Sequence, residues 1–472
     1  MKRADVVIVG GGAAGLATAF ALNGSGLDCV LLEARDRLGG RILTERDPAF
    51  PAPVELGAEF VHGRPEATWR LLRAAGLLAY DVASQRHGRK DGALRLDEGF
   101  ERRVESVMRL LPRRGRDMSF ADFLREHAAG ERCAEAREDA LDFVQGFDAA
   151  DPERVSARWL AEEQQGLANF EASPQFRLVD GYGALVERMR RALDRNVRVV
   201  ENAVVDEIRW KPGEAEVRCG GGGKVRGAWR ASAVVVTLPV GVLQRRPGER
   251  GAVRFSPPPC DHLEAAERLV DGPIVKVAVA FREPLWERPD VQAAAGAGAD
   301  LADAVFLHDR GAPFPTWWTL RPLRAPMLVG WAGGPRTEGL VGRDSAEIAD
   351  AAIRSLASLF GLTAARVRDA IVGVRACDWT SDPYARGAYS YVSVGALKAR
   401  AALARPLAET LFFAGEATDD AGQAGTVAGA LASGRRAAEE VRAASAGRGA
   451  GGDAARRRPS SSTSVEREAA AR

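Results

Sequence analysis

A short apolar run, Val6-Val7-Ile8-Val9, leads straight into Gly10-Gly11-Gly12-Ala13-Ala14-Gly15, and this junction leaves the chain few ways to fold. Four consecutive apolar residues suit a parallel strand buried on both faces. The glycines then call for a tight turn at Gly10, a backbone that a pyrophosphate can approach at Gly12, and a helix packed closely on the strand at Gly15. That helix is expected from Ala13, through Ala14, to about Leu22, and Cys29-Val30-Leu31-Leu32 reads as the next strand. Glu33 closes the second strand, where a carboxylate accepts hydrogen bonds from ribose hydroxyls and disfavours a 2′-phosphate. Strand, turn, helix and acid in this register predict a Rossmann-like dinucleotide site, with diphosphate at the helix N-terminus. A double glycine follows in Glu33-Ala34-Arg35-Asp36-Arg37-Leu38-Gly39-Gly40-Arg41, so Ala34, Arg35, Gly40 and Arg41 join the same surface, the Arg41 guanidinium being suited to reach over a diphosphate.

Lys276 is the second constraint. Only six of the 66 basic residues are lysine, yet one interrupts the apolar segment Ile274-Val275-Lys276-Val277-Ala278-Val279-Ala280-Phe281. Burying an ammonium costs several kcal/mol unless it is paired or its pKa falls. Either the side chain snorkels from an edge strand, or the protein uses a buried amine for chemistry.

At 472 residues the chain exceeds one core and fits two or three domains of α/β (α+β overall) class. Helical periodicity runs through roughly 64 to 145. Strand patterns occupy 197 to 240, with a glycine-rich hairpin at Gly220 to Gly223, and return at 274 to 281, 316 to 320 and 327 to 332. A helix is expected near 345 to 360, then a strand Leu411-Phe412-Phe413 and a helix from Val427 to about Arg442. The Ala/Gly-rich stretch 292 to 303 reads as a mobile loop, and composition after residue 443 reads as a disordered tail, 444 to 472.

Formal net charge is +2 with both signs interspersed, which provides no field to recruit nucleic acid or an anionic membrane. Five scattered cysteines without Cys-x-x-Cys spacing, and five histidines without ligand spacing, predict neither a disulfide framework nor a metal site. No apolar run approaches the length of a membrane span, and the first strand leaves no room for a signal peptide. A cytoplasmic protein is expected.

Beyond the two glycine segments, the chain carries Val54-Glu55-Leu56-Gly57-Ala58-Glu59-Phe60-Val61-His62-Gly63, Thr237-Leu238-Pro239-Val240-Gly241, Trp379 to Tyr389 and Phe413-Ala414-Gly415-Glu416-Ala417-Thr418. In this order, up to about residue 443, it resembles the flavin-containing amine oxidases, which include monoamine oxidases, polyamine oxidases and lysine-specific histone demethylases. The resemblance implies a Rossmann-like FAD-binding domain built from 1–80, 190–260 and 375–443. A discontinuous substrate-binding domain of mixed sheet plus helices takes 81–189 and 261–374.

It also implies roles. FAD is expected to meet Gly57, Ala58, Glu59, Val205, Leu238, Trp379, Tyr384, Gly415, Glu416, Thr426 and Val427, with Glu416 on its ribityl and diphosphate portion and Val205 at the adenine end. Lys276 corresponds to a lysine linked through water to flavin N5, and Tyr389 to one wall of an aromatic pair flanking the substrate amine. His62 corresponds to a substrate-facing histidine of polyamine oxidases, or is a buried histidine with its bonds satisfied. Trp317 and Trp318 read as the floor of the substrate-domain sheet. Two departures matter: Ala388 stands where monoamine oxidases carry a flavin-linked cysteine, so FAD is expected to be non-covalent, and Thr426 replaces the second cage tyrosine, which opens the cavity toward polyamines or bulky amines.

The implied reaction is hydride transfer from the amine α-carbon to flavin N5, imine hydrolysis, and reoxidation by O2 to hydrogen peroxide. Its rivals are L-amino-acid oxidation, which needs a pocket arginine for the carboxylate, desaturation on the same scaffold, and flavin binding without turnover. The acids Glu162, Glu163 and Glu171 have no position in the cavity that sequence alone assigns.

Overall fold

In the computed structural model, residues 1–83, 85–171, 175–220, 222–296 and 301–456 are described, the side chains of 165–171 and 449–456 excepted. A five-stranded parallel sheet runs in the order Val197–Val200, Cys29–Leu32, Val6–Val9, Ala233–Val236, Leu411–Phe413. Every residue of its three central strands is buried, which is why each reads as an unbroken apolar run. Helix Ala13–Ala21 packs beside the final helix, Val427–Arg456, to which Thr18 Oγ1 donates a hydrogen bond at the Gly434 carbonyl (3.0 Å).

A seven-stranded mixed sheet forms the other large layer, in the order Ile371–Asp378, Ile274–Phe281, Met327–Gly333, Thr316–Trp318, Phe306–His308, Arg86–Lys90, Ala93–Leu96. The Lys276 strand is thus flanked on both sides, and the edge-strand explanation of that lysine fails: Lys276 is 1% exposed. Register places Lys276, Trp331, Thr316 and His308 in one cross-strand row. Ala278, Val329, Trp318, Phe306 and Arg86 form the next row. Residues two apart along a strand share a face, so both rows stand on the same side. The opposite face presents Val275, Val277, Val279 and Trp317 to helix Ser345–Phe360, packing against Leu356 and Leu359. Asp344 caps that helix by accepting from the N–H groups of Ala346 and Glu347, and Gly361 ends it at a φ of 64°.

A second five-stranded sheet, in the order Lys2–Arg3, Gly227–Ala231, Glu214–Cys219, Val205–Lys211, Arg254–Ser256, the strand pair Thr44–Glu45 with Val54–Glu55, and two further small sheets complete the frame. Phe60–His62, Gln175–Leu178 and Ala79–Val82 form one, and Leu269–Gly272 pairs with Tyr389–Val392 in the other.

Several expectations are revised. The stretch 64 to 145 is not continuously helical, because strands Ala79–Val82, Arg86–Lys90 and Ala93–Leu96 interrupt it. Arg86–Lys90 is polar, and Asp81 and Arg95 interrupt the other two, so none gives an unbroken apolar run by which to recognise a strand. Segment 175–189, expected in the substrate-binding domain, places Phe176, Tyr182, Leu185 and Met189 in the core that backs the parallel sheet. The expected boundary at 374/375 falls inside the strand Ile371–Asp378. The last helix continues through buried Ala444 to Arg456 instead of giving way to disorder after residue 443, in keeping with its alanine-rich sequence. Residues 457–472, residue 221 of the glycine hairpin and 297–300 of the expected loop lie outside the described residues. No single helix among the described residues is long and apolar enough to cross a membrane.

Candidate active site

One cavity of about 1350 Å³ joins the glycine turn of the parallel sheet to the exposed face of the seven-stranded sheet. At its first end Gly10 adopts a φ of +106°, a conformation that side chains disfavour. A Cβ on Gly15 would lie 1.9 Å from the Gly10 carbonyl oxygen, so only glycine lets the helix begin there. Gly12 and Gly40 both line the cavity and lie against each other, a Cβ on Gly40 falling 3.1 Å from Gly12 Cα, and Gly40 adopts a φ of +59°. The Glu33 carboxylate is 4% exposed and accepts from the N–H groups of Gly11 (2.7 Å) and Arg35 (2.9 Å). Burial raises its pKa against the opposing effect of these donors. Arg35 is held by Asp382 (2.6 Å) and lies over the Tyr384 ring, and Trp379 Nε1 donates to the Leu56 carbonyl (2.8 Å).

Farther along, Arg41 Nη1 donates to the Ala388 carbonyl (2.7 Å) and to Glu416 Oε1 (3.2 Å). Glu416 Oε2 accepts from Ser390 Oγ (2.8 Å) and from the Gly425 N–H (3.1 Å). Asp271, whose side chain is buried, takes the Gly241 N–H (2.7 Å), and burial together with nearby Glu416 pushes its pKa up to about 6 despite Arg41. Thr426 lines the cavity, but its hydroxyl is committed to the helix: it donates to the Gln423 carbonyl (2.7 Å) and accepts from the Gly429 N–H (3.0 Å). It is the N-cap of the final helix.

Lys276 has partners. Its Nζ donates to Glu59 Oε2 (2.7 Å) and to the Gly57 carbonyl (3.0 Å), and it lies 5.5 Å from the centroid of the Trp318 ring. The other Glu59 oxygen takes Trp318 Nε1 (3.0 Å) and pairs with Arg177 Nε (2.8 Å). Burial works against charge on Glu59, and the Lys276 and Arg177 cations outweigh it, so the carboxyl sits below its ordinary range. Glu59 was expected among the cofactor contacts. It lines the cavity, but both its oxygens are occupied by protein donors.

Aromatic groups wall the space beyond. Tyr389 donates its hydroxyl to the Phe147 carbonyl, His62 meets the Phe147 ring edge-on at 5.5 Å, and Trp331 Nε1 donates to the Gly146 carbonyl (2.8 Å). Burial lowers the His62 pKa to about 4, so the imidazole is neutral at physiological pH. Burial, followed by the charges of Asp148, Glu163 and Glu416, raises the Tyr389 phenol well above its usual range.

Of the residues expected in the site, Gly10, Gly12, Ala14, Glu33, Ala34, Arg35, Gly40, Arg41, Gly57, Ala58, Glu59, His62, Val205 and Leu238 line this one cavity, as do Lys276, Trp379, Tyr384, Tyr389, Gly415, Glu416, Thr426 and Val427. Gly15 does not; its contribution is the close packing of helix on turn. Trp318 lines the cavity, whereas Trp317, its neighbour on the strand, points into the opposite core. Glu163 lines it, Glu162 is exposed, and the Glu171 side chain is outside those described. Sequence reasoning missed Trp331, Phe147, Asp148 and Arg177. The row that pairs Trp331 with Lys276 is a signal only once strand register is known.

These residues fit a flavin dinucleotide: a glycine cradle at a helix N-terminus, an acid at the end of the second strand, and a second set of groups from the last helix, all on one cavity. The model of the flavin containing amine oxidoreductase family matches residues 13–442. Among characterised proteins, lysine-specific histone demethylase 1 homolog 3 of Arabidopsis thaliana is 28% identical over 92% of this chain, and polyamine oxidase 4 of Oryza sativa subsp. japonica is 26% identical over 93%. The chain spans 30% of the length of that demethylase and 88% of that of the polyamine oxidase. In three dimensions it is similar to putrescine oxidase bound to putrescine (TM-score 0.75, 22% identity, 93% of this chain and 99% of that one). It is also similar to cyclohexylamine oxidase from Brevibacterium oxydans (TM-score 0.74, 23% identity, 93% and 99%). With its fold shared with these oxidases and nearly its whole length matched by the family model, the chain belongs to the flavin-containing amine oxidoreductase family and takes FAD as its cofactor.

Proposed function

We propose that the protein is an amine oxidase acting on the CH–NH bond of long or bulky amines. The observation that carries this reading is the continuity of the cavity, which leads from the dinucleotide cradle to an aromatic chamber containing both Lys276 and acids. Bound FAD supplies a two-electron acceptor for the substrate C–H bond and passes the electrons on to O2, giving hydrogen peroxide. Gly12, Glu33, Arg41 and Glu416 would hold it, non-covalently because Ala388 offers no thiol and, among the described residues, no cysteine lines the cavity.

The protein residues do the rest. Asp148 and Glu163 give the chamber negative charge that draws an ammonium group inward. The Tyr389 face then offers an apolar wall, or about 0.5–2 kcal/mol of attraction for a cation. Neutral His62 adds no repulsion. Lys276, fixed by Glu59 and the Gly57 carbonyl, presents a positioned N–H donor that orients water for hydrolysis of the product imine and stabilises negative charge as oxygen is reduced. Thr426 in place of a second tyrosine, with a cavity that runs on past Trp331, Trp318 and Phe306, leaves room for substrates longer than a small arylalkylamine.

Anaerobic mixing of the purified holoenzyme with a panel of amines and amino acids tests the reading. Flavin bleaching that recovers in air is the expected result with amines. Persistent yellow colour across the panel would overturn it.

A further inference from the structure

The cavity floor continues past the amine chamber. Along the row Ala278, Val329, Trp318, Phe306 it reaches Arg86. Neighbouring strands lie ~4.8 Å apart, so four steps put the Arg86 strand about 19 Å from the Lys276 strand. Arg86 lines the cavity there, its guanidinium 3.3 Å from the centroid of the Phe100 ring, which in turn stacks on His308. With the described residues its side chain makes neither a hydrogen bond nor an ion pair.

Of the carboxylates whose charge acts on Arg86, Asp97, Asp139 and Asp142 are taken by other cations, while Glu101 lines the same end of the cavity and makes no ion pair with Arg86. Arg103 holds Asp97 (2.6 Å) and Asp139 (2.5 Å), and Arg336 holds Asp142 (3.0 Å). Burial draws the Arg86 pKa down to about 9 against these acids, which leaves it a cation at neutral pH. His308 brings no negative charge, since burial and the neighbouring Arg86 and Arg310 hold it neutral. A guanidinium stacked on a ring keeps its in-plane donors, and their fork matches a carboxylate.

We propose that Arg86 binds a carboxylate at the far end of the substrate, so that the enzyme oxidises long amines bearing an acid at the opposite terminus. This rests on the amine-oxidase reading and narrows it. Asp148 and Glu163 draw the ammonium end and Arg86 draws the anionic end, whereas a diamine of equal length would set a second ammonium against Arg86. A singly charged carboxylate suits the site better than a phosphate dianion, because Glu101 lines the same end.

The test compares kcat/KM of the holoenzyme for ω-aminododecanoate, its methyl ester, dodecylamine and dodecanediamine, and measures dodecanoate binding by calorimetry. The wild type is expected to prefer the free acid over its ester by about ten-fold or more, the scale of one charge-assisted hydrogen-bonded pair. Arg86→Met should erase that preference and weaken dodecanoate binding by a similar factor, with dodecylamine turnover within about two-fold of wild type by the same reasoning. Arg86→Lys, which keeps the charge and loses the fork, should retain part of the preference. A wild type that turns over dodecylamine yet treats acid and ester alike overturns this proposal and leaves the amine-oxidase reading standing. Loss of all four substrates in equal measure in Arg86→Met, with dodecanoate binding unchanged, also overturns it and makes Arg86 a packing residue. A wild type that oxidises no amine but binds dodecanoate through Arg86 removes the amine-oxidase reading and supports the carboxylate site.

Discussion

The Lys276 ammonium donates to Glu59 at 2.7 Å, and Arg177 approaches the other oxygen of the same carboxylate at 2.8 Å. One buried acid therefore balances two buried cations, on strands that come from different parts of the chain.

Glu59→Gln should expose that imbalance. Removing one member of a buried ion pair costs about 3–5 kcal/mol, because the remaining charges stay out of water. Urea unfolding of the variant is expected to show a loss of this order, larger than that from Lys276→Met, which leaves Glu59 paired with Arg177. Equal midpoints for wild type and Glu59→Gln would mean that the triad carries no net electrostatic strain.

Lys276→Met is expected to retain FAD and to reoxidise slowly in air, by about ten-fold or more if Lys276 supplies preorganised stabilisation of developing charge. Stopped-flow recovery of the flavin absorbance after substrate reduction measures it. An unchanged reoxidation rate would remove the role assigned to this residue.

Glu55 makes stability depend on pH. Burial raises its pKa from 4.5 to about 7, opposed by donors from Thr44 and Tyr182 and by the Lys276 charge, and reinforced by Glu59. The folded state thus binds the Glu55 proton more tightly than the unfolded state. Its contribution is complete below about pH 4.5 and falls away as pH rises through about 7. The shift corresponds to roughly 3 kcal/mol. Glu55→Gln, which mimics the protonated acid, should flatten the decline in unfolding free energy between those pH values. A decline of unchanged slope would exclude Glu55 as its source.

Denaturation should release the flavin. Ala388 accepts a hydrogen bond from Arg41 through its carbonyl and has no nucleophilic side chain, and among the described cysteines none lines the cavity. After acid precipitation the yellow chromophore is expected in the supernatant. Colour that stays with the pellet would show a covalent link. By the same logic Glu416→Gln, which loses the charge that holds Arg41, should weaken FAD retention by about ten-fold or more in a gel-filtration assay.

Much of the dinucleotide end was legible because its constraints are local. Gly10 and Gly15 must be glycines for reasons of turn and packing within one strand-turn-helix unit, and Glu33 follows at a distance set by that unit. The buried strands around them read as apolar runs because both faces are covered. Lys276 was visible for the opposite reason, as a charge in a place where burial makes charge costly. The pairing of Glu59 with Lys276 was not legible because it spans 217 residues and leaves no mark on local pattern. The strands Ala79–Val82 and Arg86–Lys90 escaped notice because the first is short and interrupted by Asp81, the second is polar, and both are held by partners distant in sequence.

What the sequence determined by itself was the dinucleotide turn, the apolar strands and the need to account for one buried ammonium, since each follows from the conformational or solvation preference of neighbouring residues. Tertiary structure decided which side chains face the cavity: Trp318 inward and Trp317 away, Trp331 beside Lys276, Arg86 at the far end of the floor. Those assignments depend on the register between strands, and a shift of one residue turns every side chain of a strand to the other face.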